Sequence, residues 1–378
     1  MNPRDRVLAA IEREEPDKVP LDFGGRVSSI HEVAYEELKR HLGVRDETVL
    51  IDARGRIALP AESILKRFEI DTRYVYSGKP KPLKTLPDGS YIDAWGIKRV
   101  PAGYYYDVPS DGHPLRNATE VDELDEYEWP APLEAFNINL KELEGRARSL
   151  YEKTSFAVVY PYTRMTGFFM QSWFMRGIEN FFIDLKRNPD FACRLMDKVL
   201  EISLKATEEV VEAVGNYVDV FCVGDDLAMQ DGPLISLDTF RRLIKPRHKR
   251  LLDTIKRRTD AKIFFHTDGS SSYYFDDLVE IGVDIVNPVQ VSAAHMDTRV
   301  LKERYGQKLC FWGAIDTQRV LPYGTPQDVE EEVKRRIRDL APGGGYVLCA
   351  VHNIQPRVPP QNVCAMYEAA MKYRSYRT

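Results

Sequence analysis

The chain has 378 residues, of which 43% are hydrophobic and 29% are charged, a balance typical of a soluble globular protein. Its formal net charge is −5 and its pI is about 5.9, so the composition argues against a nucleic-acid or anionic-membrane partner. No stretch approaches the roughly 18 apolar residues of a membrane span, and the amino terminus lacks the apolar segment of a signal peptide.

The five cysteines point to a reducing compartment. Their number is odd, no CxxC spacing occurs, and most of them lie inside apolar runs. They are Cys193, Cys222, Cys310, Cys349 and Cys364. We therefore expect reduced cysteines in a cytoplasmic protein, and not a disulfide framework.

The first 140 residues contain short elements and one irregular stretch. PRDRVLAAIERE has helical periodicity and is followed by two candidate strands, VPLDFGG and TVLIDA, with a helix near residues 31–42 between them. Residues 74–130 are rich in Tyr, Pro, Gly and Asp and include SYIDAWGIKRV, which alternates like a strand. We interpret residues 74–130 as an excursion with a β-hairpin that packs beside the main fold within a single domain, residues 1–378.

From about residue 140 onward, short apolar strands alternate with amphipathic helices. The strands are FAVVYPY, VDVFCVGDD, KIFFHTDG, VDIVNPV, LCFWGAID and GYVLCAVHN. This alternation indicates parallel βαβ units, and the two earlier candidates bring the number of strands to about eight. Because no GxGxxG or GxxxxGK[ST] loop is present, we predict an α/β fold of the TIM (β/α)8 barrel type and not a doubly wound nucleotide-binding sheet.

The predicted strands end on polar side chains. In a (β/α)8 barrel these ends meet at one mouth, where active sites are built. The strand-end residues are Asp22, Arg26, Tyr160, Tyr162, Arg164, Asp225, Asp226, His266, Asp268, Asn287, Asp316, His352 and Asn353. For Asp226 and Asp316 the alternative is a helix cap, since Asp is a preferred capping residue.

His266, Asp268 and His352 form the most specific constellation. Two imidazoles and one carboxylate can bind Zn²⁺ or another divalent ion and leave a position open for substrate. The alternative without a metal is a proton-transferring histidine whose pKa is raised by a neighbouring carboxylate.

Several segments resemble the uroporphyrinogen decarboxylase superfamily over essentially the whole chain. They are PRDRVLAAIEREEPDKVP, the HTDG at 266–269, FWGAIDTQ and HNIQPRVPPQNVCAMYEAA. The superfamily contains the heme-pathway decarboxylase and the corrinoid-dependent methyltransferases. The resemblance implies a TIM barrel and suggests a homodimer.

The decarboxylase branch implies one set of roles. Its catalytic Asp matches Asp71, its Tyr matches Tyr160 or Tyr162, and its late His matches His352. The arginine pair that the decarboxylases carry in an early RQAGRY-like motif is reduced to Arg26 in LDFGGRVSSIHEVAY. This departure affects the binding of a polycarboxylate substrate.

The methyltransferase branch implies a zinc site of the form HxC…C. Here His266 matches the His, Asp268 matches the first Cys, and His352 or Cys349 matches the second. A harder N/O ligand set can still bind zinc and suits an oxygen-bearing substrate, such as a methyl ether, better than a thiol.

Three hypotheses follow. The first is a methyltransferase that moves a methyl group between a small substrate and a corrinoid on a partner protein, with the metal at His266, Asp268 and His352. In it, Asp225 and Asp226 support the substrate or the metal, and the residues assigned to cofactor or anion contacts are Arg26, Arg73, Asn287 and Asp316. The second is a decarboxylase without cofactor that acts on uroporphyrinogen or a related polycarboxylate, and the third is a non-catalytic tetrapyrrole- or corrinoid-binding barrel.

Overall fold

The computed structural model describes residues 1–77, 85–163 and 165–376. Residues 78–84 of the predicted excursion and the strand-end Arg164 lie outside the described residues. The described helices are α1 (Pro3–Ile11), α2 (Glu32–Leu42), α3 (Glu62–Arg67), α4 (Asp122–Glu126), α5 (Pro132–Ala135), α6 (Leu140–Lys153), α7 (Phe168–Arg176), α8 (Ile178–Arg187), α9 (Pro189–Val214), α10 (Leu237–Thr239), α11 (Lys245–Lys256), α12 (Phe275–Ile281), α13 (Thr298–Tyr305), α14 (Val320–Tyr323), α15 (Pro326–Leu340) and α16 (Pro360–Tyr373).

Seven strands form one parallel sheet, and the others form two small antiparallel sheets. The described strands are β1 (Ile30–His31), β2 (Val49–Asp52), β3 (Ile57–Leu59), β4 (Thr72–Tyr74), β5 (Tyr91–Ile92), β6 (Lys98–Ala102), β7 (Tyr105–Asp107), β8 (Ala157–Tyr160), β9 (Val220–Gly224), β10 (Lys262–His266), β11 (Ile285–Asn287), β12 (Cys310–Ile315) and β13 (Tyr346–Ala350). The parallel sheet has the order β13-β12-β11-β10-β9-β8-β4, so its strands follow one another in chain order. Helices connect them, as the sequence pattern predicts.

Residues 19–23 occupy the gap between the two ends of this sheet. Leu21 pairs in parallel with Leu348 of β13, and the Asp22 N–H donates to the Leu348 carbonyl at 3.0 Å. On the other side, the Asp71 N–H donates to the Leu21 carbonyl at 2.9 Å, just before β4 begins. The segment therefore closes the sheet, and the prediction of a (β/α)8 barrel is confirmed with VPLDFGG in the eighth position.

The second early candidate strand is wrong as a barrel strand. TVLIDA forms β2, which pairs antiparallel with β3 in a three-stranded sheet of order β1-β3-β2. All four residues of β2 are only partly buried, whereas a barrel strand is covered on both faces. The barrel strand that the sequence analysis missed is β4, because its three residues, TRY, contain no apolar run.

Alternate residues of the barrel strands face the barrel interior and the surrounding helices. In β8, Ala157 and Val159 belong to the interior cluster, and Val158 and Tyr160 belong to the larger cluster under the helices. Helix α1 covers the amino-terminal end of the barrel, where the Gly345 N–H donates to the Ala10 carbonyl at 2.9 Å. The carboxyl-terminal end of the barrel is thus the end available for a site.

The excursion contains the predicted hairpin. Strands β5, β6 and β7 form an antiparallel sheet, and the chain turns between β5 and β6 inside the run SYIDAWGIKRV. The Asp93 carboxylate stabilises this turn by accepting from the N–H groups of Trp95 and Ile97. Trp95 and Leu115 belong to the same hydrophobic cluster as the outward-facing residues of the barrel.

The structure also bears on the predictions about membrane-spanning segments and cysteines. In the described part of the chain, none of the helices combines the length and the apolar character that a membrane crossing requires. All five cysteines are free, and four of them are buried.

Candidate active site

His266, Asp268 and His352 converge at the carboxyl-terminal end of the barrel. His266 is the last residue of β10, Asp268 lies two residues beyond it, and His352 follows β13. Nε2 of each histidine lies 3.9 Å from Oδ2 of Asp268, and one ligand atom from each of the three residues lies within 4.8 Å of the others. The barrel therefore brings together side chains from positions as far apart in the sequence as His266 and His352, which are separated by 86 residues.

Two glycines allow this arrangement. Gly224 of β9 pairs with His266 of β10. A Cβ at position 224 would lie 2.8 Å from the His266 Cβ and would collide with the His266 carbonyl oxygen. Gly269, the last residue of HTDG, has φ +85°, a conformation that residues with a Cβ rarely adopt, and its N–H donates to Gln290 Oε1 at 2.8 Å. The glycine of the motif thus turns the chain so that Asp268 faces the two histidines.

Asn287 orients the His266 ring. Nδ1 of His266 lies 2.7 Å from Oδ1 of Asn287, while the Asn287 amide N–H₂ donates to the Trp312 carbonyl at 3.0 Å. This second bond leaves the amide oxygen to accept from Nδ1–H, so the lone pair of a neutral His266 is on Nε2, which faces Asp268. Asn287 thus contacts His266, and the cofactor contact predicted for it is indirect.

The electrostatics around the three residues also suit a cation. Burial lowers the pKa of His352, with His266 and Arg26 acting in the same direction and Asp268 opposing them. Asp226 lies behind Asp268 and accepts from its N–H at 3.2 Å; burial and the Asp268 charge raise the pKa of Asp226 to about 6. The neutral imidazole of His352 and the concentrated negative charge both favour metal binding.

The three residues lie close enough together to hold a divalent metal ion. Oδ1 of Asp268 is buried and has no hydrogen-bond partner among the described residues. Buried carboxylate oxygens are nearly always paired, so an unpaired one on a carboxylate beside two imidazoles is compatible with a bound cation. Three protein ligands would leave at least one coordination position for a substrate atom.

Tyr162 and Arg26 line the opposite side of this mouth. The Tyr162 ring centroid lies 5.3 Å from that of His266, and Cζ of Arg26 lies 5.9 Å from the Tyr162 ring. Nε and Nη2 of Arg26 both donate to Oδ2 of Asp52, so its charge is already neutralised. Arg26 is therefore near the site, but its pairing with Asp52 does not support the predicted contact with a cofactor anion.

Asp71 and Arg73 lie away from the mouth, contrary to prediction. Asp71 precedes β4 at the amino-terminal end of the barrel, where it pairs with Arg6 and with Arg374. Arg73 pairs with Glu62 through two hydrogen bonds of 2.9 Å. Both residues are therefore paired with structural partners, and neither is placed to contact a substrate or cofactor at the mouth.

Tyr160 and Cys349 also require correction. The Tyr160 side chain points outward and stacks on Phe221, with ring centroids 4.5 Å apart. Tyr162 lies beyond the end of β8, where the alternation of the strand no longer applies, and belongs to the interior cluster instead. Cys349 points into the barrel interior, is fully buried, and is not part of the cluster of candidate metal ligands among the described residues. Burial raises the pKa of its thiol, which disfavours the thiolate that a metal needs.

Two strand-end carboxylates accept hydrogen bonds from backbone N–H groups. Asp225 is fully buried and accepts from the N–H groups of Phe169 and Met170 at the start of α7. Asp316 accepts from the N–H groups of Gln318 and Arg319 and so closes the turn after β12, before α14 begins, which does not support the predicted cofactor contact. Neither carboxylate is among the candidate metal ligands in the described structure.

Asp22 is buried inside the barrel below the site. Its carboxylate accepts from Ser28 Oγ at 2.6 Å, Thr72 Oγ1 at 2.5 Å, Trp312 Nε1 at 2.9 Å and Tyr74 OH at 3.1 Å. Burial raises the pKa of Asp22, which these hydrogen bonds partly offset. The network joins residues 19–23 to β4 and β12 and so stabilises the closure of the barrel.

Arg54, which lies in the turn between β2 and β3, was not among the predicted site residues. Nη2 of Arg54 is buried and has no hydrogen-bond partner among the described residues. The available signal was the spacing in DARGR: Asp52 accepts from the N–H groups of Arg54 and Gly55, a local turn that fixes where Arg54 stands.

Comparisons with known proteins agree with the barrel and its family resemblance. The family model for uroporphyrinogen decarboxylase (URO-D) matches residues 108–373. The uroporphyrinogen decarboxylase of Alkalilimnicola ehrlichii is 23% identical over 97% of this chain and 93% of its own length, and that of Geobacter sulfurreducens is 22% identical over 88% and 89%. Among solved structures, a methyltransferase from Methanosarcina mazei covers 99% of both chains with a TM-score of 0.66 and 18% identity, which shows a shared fold.

Proposed function

The chain belongs to the uroporphyrinogen decarboxylase family, and within it we propose that the protein is a corrinoid-dependent methyltransferase with a divalent metal, zinc in the first instance. The metal would be held by His266, Asp268 and His352. The methyl group would move between a small substrate and a corrinoid carried by a partner protein. The observation that carries the proposal is the convergence of ligand atoms of His266, Asp268 and His352 to within 4.8 Å of one another, on a carboxylate whose Oδ1 is buried and unpaired among the described residues.

The chemistry of the ligands suggests the substrate class. A zinc ion held by His266, Asp268 and His352 would supply a Lewis acid for an oxygen atom, the leaving atom of a methyl ether. The residues of the chain hold the ligands in place: Asn287 fixes the ring orientation of His266, and Asp226 fixes the Asp268 backbone. Tyr162, whose ring faces His266, would limit where the methyl group can lie.

The decarboxylase alternative rests on the names of the curated relatives. Two positions weigh against it. The carboxylate matched to the catalytic Asp, Asp71, lies at the other end of the barrel and pairs with Arg6 and Arg374. The early arginine pair is reduced to Arg26, which is already bound to Asp52.

Metal content tests the proposal first. Protein purified without added metal should contain about one zinc per chain, and His266→Ala should lose it. His41→Ala, which changes an exposed histidine on α2, is the matched control and should keep the metal. The unfolding temperature of each variant, measured in the metal-free form, separates a lost ligand from a lost fold.

Turnover is the second measurement. Zinc-loaded protein should convert cob(I)alamin to methylcobalamin, followed by absorbance, when a methyl ether is supplied, and His266→Ala should not. A metal-free protein that decarboxylates uroporphyrinogen would refute the proposal in favour of the decarboxylase. A protein with neither metal nor turnover that retains a coloured corrinoid or porphyrin would instead be a binding module.

A further inference from the structure

Three guanidinium groups, of Arg26, Arg54 and Arg99, lie close enough for their charges to act on one another, and two carboxylates of the described residues pair with two of them. Arg26 follows the segment that closes the barrel, and it pairs with Asp52, the last residue of β2. Arg99 pairs with Asp93 in the excursion, and Arg54 lies in the turn between β2 and β3. If all five groups are ionised, this cluster carries one excess positive charge. Excess buried charge is costly unless a partner compensates it.

Both oxygens of Asp52 are already occupied. Oδ2 accepts from Nε of Arg26 at 2.9 Å and also from its Nη2. Oδ1 accepts from the N–H groups of Arg54 and Gly55 at 3.0 and 3.2 Å. Asp52 thus holds the backbone of Arg54 but forms no hydrogen bond with its guanidinium.

Asp93 is occupied in the same way. Oδ2 accepts from Nε of Arg99 at 2.9 Å, while Oδ1 accepts from the N–H groups of Trp95 and Ile97 at 3.0 and 3.1 Å. The Arg99 guanidinium also lies over the Phe174 ring, 5.2 Å from its centroid. Neither carboxylate forms a hydrogen bond with the Arg54 guanidinium among the described residues.

The Arg54 guanidinium is consequently left without a counter-ion within hydrogen-bond distance among the described residues. Its Nη2 is buried and unpaired. Burial lowers the pKa of Arg54 to about 9, and the nearby Arg99 and Arg26 charges act in the same direction while Asp52 opposes them. Such an unfavourable arrangement is typical of a binding site, where a ligand supplies the missing group.

Arg54 lies close enough to Tyr162 for its charge to oppose the larger effect of burial, which raises the pKa of the Tyr162 hydroxyl. Arg26 connects the two regions, since it binds Asp52 and its guanidinium also lies near the Tyr162 ring, which in turn faces His266. A small molecule at His266 could therefore extend past Tyr162 toward Arg54.

We propose that Arg54 binds a carboxylate group of the substrate, at the end opposite to the atoms that react at His266, Asp268 and His352. The identity of the reacting end rests on the proposed function, whereas the carboxylate site rests on the unpaired guanidinium. The substrate class is then a small acid that carries a methyl ether. A porphyrinogen acid offers the same carboxylate chemistry and is separated by the experiment.

Calorimetric titration of the zinc-loaded protein with a matched pair of ligands tests this site. The wild type should bind 4-methoxybenzoate about 10-fold or more tightly than 4-methoxybenzamide, because only the acid forms a charge-assisted bond with a guanidinium. Arg54→Gln should abolish this preference and leave amide binding unchanged. Arg56→Gln, in the same turn but paired with Glu32, is the matched control and should retain the preference.

Uroporphyrin, an octacarboxylate, distinguishes the two sources of the anion. If it binds and loses affinity in Arg54→Gln, while 4-methoxybenzoate does not bind, the carboxylate site is supported and the methyl-ether substrate is not. If 4-methoxybenzoate binds and loses affinity in Arg54→Gln, while uroporphyrin does not bind, both the carboxylate site and the methyl-ether substrate are supported. The carboxylate site would be overturned if wild type and Arg54→Gln bound every ligand with equal affinity. It would also be overturned if the wild type bound 4-methoxybenzoate no more tightly than 4-methoxybenzamide and did not bind uroporphyrin. Neither result depends on the metal content that tests the proposed function.

The unfolding temperature of the ligand-free protein distinguishes a ligand-binding arginine from one that stabilises the fold. Because Arg54 lacks a partner, Arg54→Gln should unfold at the same temperature as the wild type or at a higher one. A lower unfolding temperature than that of Arg56→Gln, together with unchanged acid binding, would mean that Arg54 has a structural role.

Discussion

Oδ1 of Asn287 accepts a hydrogen bond of 2.7 Å from Nδ1 of His266 and so directs Nε2 of that ring toward Asp268. Residues that hold a ligating histidine in this way typically change metal affinity by 10- to 100-fold. We therefore expect Asn287→Ala to weaken zinc binding by about that factor, measured by competition with a chelator. Asn180→Ala, which changes a surface asparagine on α8, should leave the affinity unchanged. Equal affinities for wild type and Asn287→Ala would show that the ring needs no orienting partner.

Asp268 is the candidate ligand that most distinguishes this chain from a thiolate site. Replacing it by cysteine should convert a hard donor into a soft one and keep the metal bound. In the cobalt-substituted protein, Asp268→Cys should acquire a thiolate-to-metal charge-transfer absorption that the wild type and Asp268→Ser lack. An unchanged spectrum of a cobalt-containing Asp268→Cys would place residue 268 outside the coordination sphere.

Asp71 is expected to act in folding and not in catalysis. It accepts from the Leu21 N–H and pairs with Arg6 and Arg374, all in the interior of the amino-terminal end of the barrel. Asp71→Asn should lower the free energy of unfolding by about 3 kcal/mol, measured in urea, because two guanidiniums lose a buried partner. Zinc affinity should not change.

Asp17 provides the matched control for this prediction. It is the other partner of Arg6, but its side chain is 39% exposed. Asp17→Asn should therefore cost no more than about 1 kcal/mol. If the wild type decarboxylates uroporphyrinogen and Asp71→Asn loses that activity while keeping wild-type stability, the decarboxylase assignment would instead be restored.

His248 should make the fold sensitive to acid. It is fully buried, neither ring nitrogen has a hydrogen-bond partner among the described residues, and burial lowers its pKa to about 3. The unfolded chain takes up a proton near pH 6.5, and the folded chain does so only near pH 3, so stability is lost as the pH falls between these values. Between pH 7 and pH 5, the free energy of unfolding should therefore fall by about 2 kcal/mol less in His248→Leu than in the wild type, measured by urea unfolding.

Asp225 is the titratable group that faces His248, with Oδ2 3.4 Å from Nε2. Burial raises the pKa of Asp225, which affects stability in the opposite direction as the pH falls. Asp225 is present in both proteins, so the difference between wild type and His248→Leu reports on His248. Parallel stability curves for the two proteins would contradict the prediction.

The pattern of the sequence was sufficient for the fold and for the three candidate metal ligands. Short apolar strands alternating with amphipathic helices specify parallel βαβ units, and in a closed barrel the strand ends share one mouth. HTDG and the strand-end His352 could therefore be placed at one site from chain order alone. Helix and strand periodicity are local properties, which is why a sequence reveals them.

Only the tertiary structure decided which polar residues face that mouth. Tyr160 and Tyr162 are two residues apart, yet one stacks against Phe221 under the helices and the other faces His266. The three-residue β4 has no pattern of its own, so Asp71 could be matched to a catalytic role although it lies at the opposite end of the barrel. Whether a charged side chain is free depends on partners distant in sequence: Asp52 neutralises Arg26, 26 residues away, and leaves Arg54 unpaired. Strand order, side-chain facing and charge pairing arise from long-range contacts, and these contacts determine the function of each residue.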